Sequence, residues 1–146
     1  MYLIIPFLSW NAILDLRQRK VSIGSLLLFS LIGFILLFTS EGQKLLYHGE
    51  PSVWRIIAGV GFGILLLVLS WISSGAVGAG DAMVAVVLGL YLGIDRVLLL
   101  FMAGFLLSGM TGFALIMMGK ADRKSHMPLM PFLLAGYLIL LLTGWM

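Results

Sequence analysis

The sequence predicts an all-α membrane protein, a polytopic bundle of about six transmembrane helices, and three observations carry that prediction. Of 146 residues, 62% are hydrophobic and only 10% are charged, with a mean hydropathy of +1.16. A soluble domain with so few charges would expose large apolar patches and aggregate, so lipid is the natural solvent for this surface. The apolar residues also fall into runs close to one bilayer crossing, which takes about 20 residues for a hydrocarbon core of about 30 Å. Finally, the basic residues are spread over the short stretches between those runs, where orientation signals belong. We read residues 1–146 as a single transmembrane domain.

Six segments result from the length rule. The first covers residues 2–16. It opens Met1-Tyr2-Leu3-Ile4-Ile5, with neither a basic n-region nor a small-residue cleavage site, so it is expected to stay rather than be removed as a signal peptide. Asn11 and Asp15 predict that its second half faces protein or water instead of lipid. The second and third segments, 22–40 and 53–73, are full crossings. The fourth, 82–94, holds an apolar run from Ala82 to Gly93 that is too short to span alone. Either its helix borrows residues from the glycine-rich stretch before it, or it is a re-entrant element. The fifth and sixth segments are 96–118 and 127–146. Glycines recur on three of them (Gly59, Gly61 and Gly63; Gly89 and Gly93; Gly104, Gly109 and Gly112) and predict close helix approach. Trp10, Trp54, Tyr2 and Trp145 lie near segment ends, as an interfacial belt requires.

With six crossings, one face carries Arg17, Arg19, Lys20, Lys120, Arg123 and Lys124, and the other carries Lys44, Arg55 and Arg96. The positive-inside rule makes the first face cytoplasmic. The N-terminus is then outside, and Asp15 and the stretch from Ser73 to Asp81 share the inner edge of a cell membrane. Several functions fall away. The formal net charge of +3 comes from cations that form no stripe able to follow a nucleic-acid backbone. With no cysteine there is no disulfide framework, thiolate metal site or cysteine nucleophile. His48 and His126 fall on opposite faces, which disfavours a shared metal site. Met83 stands where a nucleotide-binding glycine pattern would need its third glycine. No cofactor or metal is expected.

The chain has six acidic residues, and Glu41, Glu50 and Asp95 fall on the outer face. Asp15 and Asp81 converge on the inner one. A carboxylate near hydrocarbon costs roughly 2.5 to 3.5 kcal/mol at a helix centre on insertion scales, so it requires a partner or a function. Two carboxylates sharing a site repel, so one holds its proton while the other is ionised. The ionised one can activate a water, and the protonated one can donate to a scissile carbonyl oxygen. Such a pair acts as a unit, and the sequence does not assign acid and base. Structural readings stand beside this one: Asp81 precedes the fourth segment as a helix N-cap would, and Asp15 can pair with Arg19 at i,i+4. Arg17, Arg19 and Lys20 read as topology anchors, and they also favour an ionised neighbour.

Three stretches resemble the type IV prepilin peptidases, the GxGD aspartyl proteases of the membrane. Asn11 to Ser25, NAILDLRQRKVSIGS, is similar to the family's first aspartate site. Gly78 to Gly93, GAGDAMVAVVLGLYLG, is similar to the second, GxGD followed by an apolar run ending in Leu-Gly. Met127 to Gly136, MPLMPFLLAG, is similar to a late Pro-x-x-Pro-Phe-Leu element. They occur in the family's order and span most of the chain.

The resemblance implies an aspartyl endopeptidase with Asp15 and Asp81 as the catalytic pair. It implies that Gly78 and Gly80 shape the active-site loop and admit a substrate backbone, and that Arg17, Pro128 and Pro131 line the substrate-binding edge. The implied substrates are type IV prepilin-like precursors (pilins, pseudopilins or flagellins) with a basic leader ending in glycine, cut at the cytoplasmic face. Beyond that substrate and the lipid bilayer no partner is implied, nor any oligomeric state. Larger relatives add a cysteine-rich cytosolic region and methylate the new N-terminus, so the cysteine-free chain resembles the peptidase-only form. It departs from the family at Met83, where lysine is usual, and at Val21-Ser22-Ile23, which replaces Ile-Pro-Asn. Those departures keep a second class in play: a non-catalytic assembly factor, or a small transporter subunit in which the same aspartates carry protons or ions.

Overall fold

A computed structural model describes residues 4–18, 22–39, 53–73, 78–119 and 129–144. Among these there are only helices: α1 (Ile4–Gln18), α2 (Ile23–Leu37), α3 (Val53–Ile72), α4 (Ala79–Met117) and α5 (Met130–Leu142). The all-helical expectation holds, but the fourth and fifth segments run together in the 39 residues of α4. If straight, α4 would be about 58 Å long, twice what a bilayer needs.

It is not straight. Gly93 inside α4 has φ 72 and ψ 176, a backbone that an L side chain strains to adopt. The contacts with α3 reveal the consequence. Gly59 lies against Gly89 and Gly93, and Gly63 against Val86. The rings of Phe62 and Phe101 are 5.6 Å apart, and Arg55 pairs with Asp95 at 3.5 Å. Moving along α3 from Arg55 to Gly63, contacts therefore descend from Gly93 to Val86 and also climb from Asp95 to Phe101. A straight helix would hold Val86 and Phe101 about 22 Å apart. Both reach one turn of α3, so α4 folds back at Gly93 into a first arm, residues 79–92, and an antiparallel second arm, residues 94–117. The first arm does borrow Ala79, Gly80 and Asp81 from the glycine-rich stretch.

The remaining helices alternate in direction. Phe7 of α1 meets Phe29 of α2 with ring centroids 4.8 Å apart, and nearer the other ends Ser25 bonds to Asn11, an antiparallel pair. The Tyr91 hydroxyl donates to the Phe29 carbonyl at 2.7 Å and ties α2 to the first arm. Phe7, Leu8, Val84, Leu88, Leu100, Met130, Leu133 and Tyr137 are fully buried and fill the space between α1, α4 and α5. The outward faces are as apolar as the core: Leu31, Phe34, Leu65, Trp71, Leu106 and Phe113 are all exposed. In water that surface would be a liability, whereas in lipid it is the solvated face. Both α3 and α4 are long and apolar enough to cross a membrane, and the chain is a membrane protein.

Glycines on α3 and the first arm do what close packing requires: a Cβ on Gly59 would stand 2.8 Å from the Gly89 carbonyl oxygen, and one on Gly63 would strike the Val86 backbone. Gly61 and Gly109 face open space instead. Trp54 begins α3 at an exposed position, but Trp10 lies midway along α1, away from either end. Tyr2 and Trp145 lie outside the described residues.

Candidate active site

The two ends of the bundle differ chemically. One holds the turn at Gly93 and the exposed Arg55–Asp95 pair. The other gathers the end of α1 and the starts of α2, α4 and α5, and it holds both candidate carboxylates.

Asp15 reaches that end because α1 continues to Gln18, two residues beyond the predicted segment. It is 9% exposed, and its Oδ2 accepts the backbone N–H of Met130 at 3.2 Å, 115 residues away. Met130 is the first residue of α5, and a first-turn N–H has no partner within its own helix. Leu129, at the cap position, supplies no side-chain bond. Next in the chain, Pro131 has no N–H to satisfy, and its ring presets the helical φ. The α1 carboxylate thus serves as the cap for α5, where the helix dipole favours an anion.

Asp81 is the third residue of α4 and lies in its first turn. The expected N-cap role falls to Gly78 instead, which makes no side-chain bond. Gly80 lies within the helix, not in a loop. Gly78 has φ −60 and ψ 123, a conformation open to any residue, so what matters there is space. A Cβ on Gly78 would stand 2.8 Å from Asp81 Oδ2. The Asp81 carboxylate therefore folds back over the Gly78 backbone, partly buried, within electrostatic reach of Asp15.

One turn before Asp15 on the same face, Asn11 is fully buried. Its Nδ2 donates to the Phe7 carbonyl at 2.9 Å, and its Oδ1 lies 3.0 Å from the Ser25 hydroxyl. That hydroxyl is also 2.8 Å from the Ser22 carbonyl, and its single proton serves one acceptor at a time. Ser22, in the position of the family's proline, caps α2 by accepting the Ser25 N–H at 3.3 Å. The polarity of Asn11 predicts a face toward protein or water instead of lipid, and the structure selects protein, but the sequence does not by itself name its partner Ser25. A Ser-x-x-Ser run ahead of an apolar stretch is a helix-start signal and could have located that partner.

The other expected site residues are less well placed. Arg17 lies in the last turn of α1 and is exposed, turned away from the buried Asp15. Met83, two residues after Asp81, is 41% exposed. Pro128, Arg19 and Lys20 lie outside the described residues, as do Lys120, Arg123, Lys124 and His126, so the Asp15–Arg19 pairing falls there too. Among the described residues no three His, Cys, Asp or Glu side chains cluster as a metal site would need.

Comparison with known proteins bears on what this end of the bundle is. No solved structure matches the chain. A prepilin leader peptidase/N-methyltransferase from Bacillus subtilis (strain 168) is 30% identical over 87 residues, which is 60% of this chain and 35% of that protein. The chain thus aligns with about a third of the length of that relative. One protein family, the type IV leader peptidases, matches over residues 2–113, short of the late Pro-x-x-Pro-Phe-Leu stretch. The matched residues take in Asp15, Asp81 and the scaffold that joins them, and they make the chain a member of the type IV leader peptidase family.

Proposed function

We propose that this chain is an aspartyl endopeptidase that removes the basic leader from type IV prepilin-like precursors at the cytoplasmic face of the membrane. One observation carries the reading: carboxylates from α1 and α4, 66 positions apart in sequence, are carried to the same end of the bundle, Asp15 against the start of α5 and Asp81 in the first turn of α4. With one of the pair protonated and the other ionised, the ionised member activates water and the other donates to the scissile carbonyl oxygen. The two arms of α4 supply the fourth and fifth of six crossings, with the N-terminus outside and residues 1–146 acting as one peptidase domain. Gly78 and Gly80 keep the approach to Asp81 low, and Pro131, at the start of α5 beside the Asp15 contact, borders the path of the substrate. The N-methyltransferase activity in the relative's name is a separate chemistry, and the carboxylate pair supports only the peptidase step.

A second reading has its own observation. The bond from Met130 gives Asp15 a structural task that needs no catalysis, and Met83 takes the place of the family's lysine. A non-catalytic membrane component would keep that bond. Co-expression with a candidate prepilin separates the two, read by gel shift and N-terminal sequencing for wild type, Asp15→Asn and Asp81→Asn at equal membrane levels. Leader removal by wild type and by neither variant supports the peptidase. A variant that cleaves at the wild-type rate rules out the two-aspartate mechanism, and a wild type inert on several prepilins favours the second reading.

A further inference from the structure

Asp15 is held on one side by α5. What holds α1 on its other side is the buried polar contact one turn earlier. Asn11 and Asp15 are four residues apart, so they share a face of α1 and lie one above the other. Asn11 is 0% exposed, and its amide makes two contacts with different roles. The Nδ2 bond to the Phe7 carbonyl fixes the side chain along α1 itself. The Oδ1 contact with Ser25 crosses to the first turn of α2, which Ser22 in turn locks through its cap. The first bond orients the amide, and the second ties the rotation and height of α1 to the start of α2. A buried amide can satisfy its acceptor here only in that register, because a rotation or slide of α1 would leave it unpaired in an apolar core.

We infer that Asn11 is a positioning residue: through Ser25 and Ser22 it sets α1 in the rotation that presents Asp15 to both Met130 and Asp81. This rests on the peptidase reading for its catalytic consequence, but not for the geometry it specifies. Among the described residues Asn11 hydrogen-bonds to Phe7 and Ser25 and to neither carboxylate. Its effect passes along a single helical turn, and a misplacement of about 1 Å at a catalytic group can cost about a hundredfold in rate.

The test uses the absence of native cysteine. Asp15→Cys/Asp81→Cys, in the full chain in membranes, gives a pair that a short bifunctional thiol reagent can bridge only when α1 and α4 are in register. Asn11→Leu is nearly isosteric and removes both contacts. Ser25→Ala removes the bond between helices together with the hydroxyl's local contact to the Ser22 carbonyl but keeps the Asn11–Phe7 bond, and Ser25→Thr retains the hydroxyl. The expected result is a several-fold slower cross-link in the Asn11→Leu and Ser25→Ala backgrounds, with Ser25→Thr close to the parent. In the aspartate-bearing chain, Asn11→Leu and Ser25→Ala should lower kcat for leader cleavage about tenfold or more while KM stays within about twofold. Cross-linking at the parent rate in both backgrounds would overturn the inference whatever cleavage shows. Should the wild type cleave no prepilin, the peptidase reading fails and cross-linking still decides this one. If Asn11→Leu does not insert, Ser25→Ala against Ser25→Thr carries the test.

Discussion

Asp15 has two tasks that a single substitution can separate. Asparagine keeps an oxygen that can accept the Met130 N–H, whereas leucine leaves that N–H unpaired in a buried place. Asp15→Asn should therefore lose cleavage yet keep the thermal midpoint of the wild type in detergent. Asp15→Leu should lose cleavage and about 1–3 kcal/mol of stability, the cost of orphaning a buried donor. Equal stability of the two variants would mean that the bond does not cap α5. Gly78 makes the complementary case. Its backbone suits any residue, but an added Cβ displaces the Asp81 carboxylate. Gly78→Ala should reduce cleavage at least about tenfold through that displacement while costing less than about 1 kcal/mol of fold stability, measured by the same thermal assay. At this scale both carboxylates were legible because an acid among apolar residues demands a reason. The Met130 contact was not, since a backbone N–H carries no side-chain signature and its partner lies 115 positions away.

Helix-on-helix packing explains why the elements sit where they do. In lipid no hydrophobic force drives α3 onto α4, so their contact depends on how closely the backbones approach. Gly59, Gly63 and Gly89 allow that approach, while Gly61, on another side of α3, meets nothing within 4 Å. Gly63→Ala is thus expected to push α3 from the first arm and destabilise the bundle by about 1–3 kcal/mol, the range for forcing extra atoms into a packed site. Gly61→Ala should be neutral or slightly stabilising, because alanine is the better helix former. Thermal midpoints of the two variants side by side would check this, and equal losses would show that the α3–α4 contact is misplaced. Sequence alone marked all these glycines alike, because spacing does not reveal which face meets a neighbour. Gly93 does pack against Gly59 of α3, but spacing did not reveal its second role: its positive φ makes it the point where α4 reverses.

For the whole molecule, the alternating directions sort the helix ends around the site and around the turn at Gly93 into two levels. Gln18, Ser22, Ser73, Gly78 and Leu129 share the level of the carboxylates, and Phe38, Val53 and Asp95 share the other. The class of protein was plain from composition, since so few charges cannot cover a soluble surface. The number of crossings was harder to read because the run from Ala82 to Gly93 is too short by itself, and only its contacts with α3 show that it turns back. Sidedness depends on counting cations, many of them in stretches outside the described residues. Single cysteines report it directly in a cysteine-free chain. Ser73→Cys marks the carboxylate end, and Thr39→Cys and Asp95→Cys mark the other, all at exposed positions. Losing the exposed Arg55–Asp95 pair should cost at most about 1 kcal/mol, so Asp95→Cys is a fair probe. With a membrane-impermeant maleimide on intact cells, positions 39 and 95 should label at once and position 73 only after permeabilisation. The reverse pattern would put the carboxylates outside and remove cleavage from the cytoplasmic face. Labelling of positions 39 and 95 from opposite sides would instead mean that α4 does not fold back at Gly93, and the shared site of Asp15 and Asp81 would lose its scaffold.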